Sequence, residues 1–353
     1  DNNVGLGACA LFNNTTASNN TAVGHLSLFS NSTGTGNVGV GLCALKNNTS
    51  DLNTAVGYRS SLNNTSGYDN TSIGGDSFFT NTTGIRNTAL GKGALNKNTT
   101  ASNNTAVGYN SLCANTTGTP NTAVGMCSLH ANTTGGDNVA IGYRALKLNT
   151  TSSSNVAIGV NSLANNTAAN NTAVGFGSLV ANTTGAYHTA LGVESLKVNT
   201  TGERNTALGA GTLKDNTTGC YNVAIGYDTL SNNTTANSNT AIGYSALLTN
   251  TTGAGNVAIG AFALDASTTG ANNVAMGEYA LSSNTTAAEN TAVGYVALSS
   301  STTATENTAI GRGALQVTTT GAGNTAVGKN ALNENTTGFE NVGMSVDSLA
   351  SNT

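Results

Sequence analysis

Apolar, small and polar residues recur along the whole chain with a period of seventeen residues. Counting each opening Asn as position 0, position 1 is Thr or Val, position 2 is Ala, Gly or Ser, and position 3 is always apolar. Position 4 is Gly in twenty copies and position 8 is Leu in nineteen. Self-similarity at a short fixed period predicts a repeat architecture. The twenty-one copies form one continuous repeat domain over residues 1–353 and begin at residues 3, 20, 37, 53, 70, 87, 104, 121, 138, 155, 171, 188, 205, 222, 239, 256, 273, 290, 307, 324 and 341.

The alternation at positions 1 to 3 predicts a β-strand whose inward face carries positions 1 and 3. Gly at position 4 indicates a bend or a close approach, and a second short strand is expected around positions 5 to 8. Positions 9, 10, 15 and 16 vary and are expected in solvent. The repeats at Asn37 and Asn155 lack one residue just before the next repeat, so this segment is a loop that tolerates deletion.

Two short strands cannot bury a core alone, whereas stacked copies can. Gly, Asn, Thr and Val suit helices poorly, and seventeen residues are too few for a helical hairpin unit. The sequence therefore predicts an all-β fold, a parallel β-solenoid (a β-roll) with one coil per repeat and about 21 coils. Its core is expected to be a thin column of the side chains at positions 3 and 8. Strand spacing then gives a rod of roughly 100 Å.

Asparagine occupies two fixed positions. Position 0 is Asn in every copy except at His188, and position 11 is Asn except at Ser267, Ser301 and Thr318. In-register Asn side chains can hydrogen-bond along a stack of strands. The sequence thus predicts a structural Asn ladder at position 11 that includes Asn81, Asn98, Asn115, Asn132, Asn149, Asn182, Asn199, Asn216, Asn233 and Asn250.

The same asparagines allow a second interpretation. Sixteen of the position-11 asparagines match N-x-[ST], so in a secreted eukaryotic protein each would be a potential N-glycosylation acceptor. Consecutive acceptors would lie about 4.8 Å apart, which is narrower than a branched glycan. We therefore predict that most of these amides are hydrogen-bonded to protein and unmodified, and that the three Ser and Thr replacements fill a turn role.

Composition and charge narrow the function classes. The chain has 44 Gly, 1 Pro, no Trp and a net charge of -4. No basic patch suits nucleic acid, and no apolar stretch is long enough for a membrane span. No signal peptide is present, and both ends fall inside a repeat, so we expect a window of a longer protein.

Three stretches carry a family resemblance: NVAIGYRAL from Asn138, NVAIGVNSL from Asn155 and NTAIGYSAL from Asn239. They resemble the head repeats of YadA-like trimeric autotransporter adhesins. The seventeen-residue form with NTTG resembles repeats of tail-fibre-like proteins of bacteriophages and other large viruses. The resemblance implies a left-handed parallel β-roll, three chains side by side, and exposure on a cell or virion surface. The adhesin repeat is shorter, and this chain shows no stalk, anchor or coiled coil.

No residue pattern points to a catalytic, cofactor or metal site. Cys9 and Cys43 share position 6 but lie two coils apart, roughly 9 to 10 Å, beyond the reach of a disulfide. No CxxC occurs and the three His are scattered. We expect incidental surface residues at all five cysteines, which are Cys9, Cys43, Cys113, Cys127 and Cys220.

Charged and aromatic residues at equal positions are expected to be neighbours in the stack. Glu289 and Glu306, both at position 16, have the spacing of a retaining glycosidase pair but are interpreted as solvated loop acids. Asp69 and Arg86 are predicted to form an exposed ion pair. Tyrosines at position 5 could stack on sugars or proteins, but a structural covering role is favoured; they are Tyr58, Tyr109, Tyr143, Tyr227, Tyr244 and Tyr295.

Three function classes remain open. The first is a structural rod or fibre segment of a surface-exposed adhesin, tail fibre or extracellular filament, expected to form a homotrimer or filament and able to contact a host-surface glycan or protein. The small residues at position 2 would form the strip along which chains pack. The second is an ice- or surface-binding solenoid with Thr ladders at positions 12 and 13, disfavoured because those Thr lie in a turn. The third is a polysaccharide-degrading tailspike, disfavoured by the missing carboxylate cluster.

Overall fold

The computed structural model describes residues 2–352, which form strands and turns and contain no helix. The chain divides between Asn171 and Thr172 into two compact units. The first unit contains β1 Val4–Leu6, β2 Thr21–Val23, β3 Val38–Val40, β4 Thr54–Val56, β5 Thr71–Ile73, β6 Thr88–Leu90, β7 Thr105–Val107, β8 Asn121–Val124, β9 Asn138–Ile141 and β10 Val156–Ile158. The second contains β11 Thr172–Val174, β12 Thr189–Leu191, β13 Thr206–Leu208, β14 Val223–Ile225, β15 Thr240–Ile242, β16 Val257–Ile259, β17 Val274–Met276, β18 Thr291–Val293, β19 Thr308–Ile310, β20 Thr325–Val327 and β21 Val342–Met344.

Within each unit, strands one repeat apart pair in parallel. In the first unit Val107 lies beside Val124, and in the second Ile225 lies beside Ile242. Like residues therefore stack on like residues one repeat apart. The predicted parallel β-solenoid with one coil per repeat is confirmed.

Backbone hydrogen bonds between coils continue beyond the strands. The Leu28 amide donates to the Ala44 carbonyl at 3.0 Å, and the Thr82 amide donates to the Thr99 carbonyl at 2.9 Å. Each coil thus uses its neighbours to satisfy backbone groups that a turn would otherwise expose.

The predicted second strand at positions 5 to 8 is wrong, because this segment is a run of turns. Residues at positions 6 and 8 have left-handed backbone conformations, as at Arg144 (φ 58) and Leu146 (φ 50). Two left-handed residues reverse the chain sharply, so a strand cannot form there. Gly at position 4 is confirmed as a close-approach site: a Cβ on Gly24, whose φ is +124, would lie 2.6 Å from the Gly41 carbonyl oxygen.

The inward face of the strand is also the reverse of the prediction. Position 2 points inward, so Ala106 and Ala123 are fully buried, while Thr105 and Val107 beside them are half-exposed. The interior is too narrow for more: a Cβ on Gly39 already approaches Leu28 Cγ at 3.3 Å. The core therefore consists of Ala at position 2, small residues at position 7 and Leu at position 8. Position 2 is not a strip on which chains could pack.

Candidate functional site

Each unit has a uniform outer strand face, which we define as positions 1 and 3 of its repeats. Position 1 is Thr thirteen times and Val eight times, and position 3 is always Val, Ile, Leu or Met, so the face carries no charge. Its side chains are substantially exposed, as in Leu90 at 43% and Leu191 at 48%. Sequence reasoning missed this face because period-2 alternation does not say which of its two sets points inward.

Consecutive position-11 asparagines form a hydrogen-bonded ladder in each unit. Each Nδ2 donates to the Oδ1 of the preceding ladder residue, at 2.6–3.1 Å in the first unit and 2.7–3.0 Å in the second. All are fully buried. The first ladder contains Asn48, Asn64, Asn81, Asn98, Asn115, Asn132 and Asn149, and the second contains Asn182, Asn199, Asn216, Asn233 and Asn250.

The position-0 asparagines hydrogen-bond to backbone groups of their own coil and of the next coil. Asn87 Oδ1 accepts the backbone amide of Asn104 in the next coil at 3.0 Å. Its Nδ2 donates across its own coil to the Ala101 carbonyl at 2.9 Å, and the ladder residue Asn98 donates to the same carbonyl at 3.0 Å. In this coil one carbonyl thus accepts hydrogen bonds from both asparagines.

The replacements at position 11 keep the turn, since the Ser301 amide donates to the Leu298 carbonyl at 3.2 Å, but they do not continue the side-chain ladder. The buried hydroxyls of Ser267, Ser301 and Thr318 have no hydrogen-bond partner among the described residues. Asn250 Oδ1, which would accept from the next ladder residue, is also without a partner there. At these three positions the hydroxyl does not reach the neighbouring coil's ladder residue.

His188 occupies position 0 and makes the same two kinds of hydrogen bond as the asparagines found there. Its Nε2 lies 2.7 Å from the Gly202 carbonyl, and its Nδ1 accepts the Asn205 amide at 3.2 Å. These partners assign the neutral tautomer with the proton on Nε2. Burial is the main reason why the pKa of His188 is lowered to about 4.

The remaining candidates lie on the surface. Glu289 and Glu306 are exposed. The predicted ion pair of Asp69 and Arg86 is confirmed at 3.9 Å between exposed side chains. The position-5 tyrosines are half-exposed to exposed, with Tyr227 at 54%. Free thiols are found at Cys9, Cys43, Cys113, Cys127 and Cys220.

No protein-family model matches the chain, and no curated protein matches it significantly. Among residues 2–352 no helix is long and apolar enough to cross a bilayer. Within the same residues, no three His, Cys, Asp or Glu side chains converge as metal ligands.

Proposed function

We propose that the chain is a structural segment of an extracellular fibre or surface filament and associates with copies of itself through the outer strand face. The observation that supports this is the uncharged face formed by positions 1 and 3 in every repeat. Contiguous exposed apolar surface marks interaction sites in soluble proteins. A uniform face repeated along a stack suits a regular assembly.

The chemistry of the face favours another copy of the same chain. Thr, Val and Ile are β-branched, and rows of identical side chains can interdigitate as a dry interface between two sheets. Three chains side by side, as the resemblance to adhesin and fibre repeats implies, would bury the face of each chain. A host-surface glycan or protein would then contact the remaining turns.

Native mass of the full chain tests the assembly. We expect about 105 kDa, three times the 35.0 kDa of one chain. Ile225→Lys with Ile242→Lys places two charges in neighbouring coils of the face and should yield monomers. The matched control Asn232→Lys changes an exposed turn residue and should leave the mass unchanged. A monomeric wild-type chain at all concentrations, or an assembly indifferent to the double variant, would contradict the proposal.

An ice- or surface-binding function is the second candidate, favoured by one observation. The thirteen position-1 threonines lie on outward-facing strands and not in a turn. Their methyl and hydroxyl groups repeat at the strand spacing, about 4.8 Å. Thermal hysteresis in a monomeric preparation, abolished by Thr105→Lys with Thr122→Lys, would replace the assembly proposal with this one.

A further inference from the structure

Four aromatic side chains in successive coils of the second unit form a continuous row. They are Tyr227, Tyr244, Phe262 and Tyr279, which we call the aromatic row. Successive ring centroids are 5.7, 5.2 and 5.2 Å apart. Tyr227 and Tyr244 are 54% and 52% exposed, so about half of each side chain remains open to a ligand.

Elsewhere on the protein, aromatic rings carry arginine. The Arg59 guanidinium lies 4.8 Å from both the Tyr58 and Phe79 ring centroids. Arg204 lies 5.4 and 5.5 Å from two tyrosine rings. The other three arginines are Arg86 over Tyr68, Arg144 over Tyr143 and Arg312 over Tyr295. All five arginines of the chain are thus placed on rings outside the aromatic row.

The segment that carries the aromatic row is also acidic. Residues 215–311 contain six Asp or Glu and no Lys or Arg, although the whole chain has a net charge of only -4. Two of these acids adjoin the row in sequence, Asp228 after Tyr227 and Glu278 before Tyr279. A ring face attracts cations through its quadrupole, and nearby carboxylates strengthen that attraction.

We propose that the aromatic row is a docking site for arginine side chains of an extended partner segment. The planar guanidinium stacks on aromatic rings, which the more strongly hydrated ammonium of lysine does less well. In an extended chain, alternate side chains on one face are about 6.6 Å apart, which is roughly 1 Å more than the ring separations in the row. The long, flexible arginine side chains can span this difference, so a segment with arginine at alternate residues would place its guanidinium groups along the row, against the exposed parts of the rings.

Calorimetric titration of the full chain tests the site. The probe is the peptide Arg-Gly-Arg-Gly-Arg-Gly with blocked ends, compared with its lysine and citrulline counterparts. We expect saturable binding of the arginine peptide, weaker binding of the lysine peptide and none of the neutral citrulline peptide. Tyr227→Leu with Tyr244→Leu should weaken binding about tenfold, from two cation–π contacts. The control Tyr109→Leu, an exposed position-5 tyrosine of the first unit, should leave affinity unchanged.

Tyr227 and Tyr244 are both exposed, so we expect the variants to fold, and circular dichroism of each variant checks that they do. Three results would overturn the proposal: no binding of the arginine peptide, equal binding of the citrulline peptide, or equal loss of affinity in Tyr109→Leu. A cello-oligosaccharide titrated in parallel covers the carbohydrate alternative. Binding of the sugar but not of the arginine peptide would assign the row to glycans.

Discussion

At the scale of single residues, stability depends on buried amides. Each buried polar group costs about 1–3 kcal/mol if it is left without a partner. Asn216 avoids this cost because its Nδ2 donates to Asn199 Oδ1 at 2.7 Å and to the Gly219 carbonyl at 3.0 Å. Its Oδ1 accepts from Asn233 at 2.7 Å. Asn216 is fully buried and therefore has no exposed amide nitrogen for a glycan.

Restoring asparagine at a gap in the ladder should stabilise the protein. In Ser267→Asn the new amide can donate to Asn250 Oδ1, which has no partner among the described residues. We expect the free energy of unfolding to rise by about 1–2 kcal/mol, measured by denaturant unfolding. The control Asn216→Ala should lower it. A destabilised Ser267→Asn would show that the site cannot admit the amide.

His188 should make stability depend on pH. Its pKa in the folded chain is about 4, below the ordinary value of 6.5, so the folded state keeps it neutral while the unfolded state gains a proton. The stability that depends on neutral His188 is therefore fully present above pH 6.5 and is lost as the pH falls from 6.5 towards 4. The loss amounts to about 3 kcal/mol at 1.36 kcal/mol per pH unit.

His188→Asn restores the residue found at position 0 in all other repeats and provides the comparison. Thermal unfolding of both proteins should be measured between pH 7 and pH 4. We expect the wild type to lose more stability than the variant over this range. Parallel pH profiles would mean that His188 does not titrate differently in the two states.

At the scale of one coil, the turn at positions 5 to 10 depends on left-handed residues. Asn, Asp and Gly tolerate this conformation, and they occupy position 6 in many repeats, as at Asn110, Asp228 and Gly313. Val296 at the same position, with φ 51, is a β-branched exception. A left-handed conformation costs about 1–2 kcal/mol for an ordinary L-residue.

Val296→Asn should therefore stabilise its coil by about 1 kcal/mol. The matched reverse change is Asn161→Val, where φ is 57, and it should destabilise by a similar amount. Hydrogen exchange of the amides in each coil measures both. Equal protection in wild type and both variants would show that the backbone strain is relieved in another way.

Neighbouring coils also compensate one another in volume. Position 8 is Ser61 in one coil and the larger Phe78 in the next, both buried. Ser61 Oγ lies 2.7 Å from Ser72 Oγ, which replaces the usual Ala of position 2. The small Ser61 thus leaves room for the larger Phe78, and Ser72 provides a hydrogen-bond partner for the Ser61 hydroxyl.

A double-mutant cycle tests this compensation. Ser61→Leu alone should overpack against Phe78, and Phe78→Leu alone should leave a cavity, each costing about 1–3 kcal/mol. The double variant restores the ordinary Leu column, so we expect a coupling energy of about 1–3 kcal/mol. Additive effects would mean that the two side chains do not share space.

At the scale of the molecule, each coil contacts its nearest neighbours in the stack. Leu146→Ala should cost about 2–5 kcal/mol, since Leu146 is fully buried. In a stack with nearest-neighbour energetics the damage stays within a coil or two. Hydrogen exchange should show lost protection around residues 121–171 only, and the matched Leu247→Ala should affect only the second unit. Protection lost in both units from either change would contradict local energetics.

The sequence by itself determined the repeat, its length and the solenoid class. The strict period, with β-branched residues, Gly at position 4 and Asn at positions 0 and 11, can bury its apolar positions only if successive repeats stack. The pairing of Asp69 with Arg86 also followed from register alone, because equal positions become neighbours in a parallel stack. These features depend on spacing along the chain, which a sequence records directly.

Tertiary structure alone decided which side of the strand is the core. Alternation offers two faces, and hydrophobicity favoured Val107 over Ala106 as the buried residue. The narrow interior reverses that choice, because a Cβ at position 2 of one coil, Gly39, would already lie 3.3 Å from Leu28 Cγ, so only small residues fit there. The larger apolar residues are consequently displaced to the outer strand face. The alternation of residues along the strand cannot show which face is buried, since that choice depends on the distance between backbone segments.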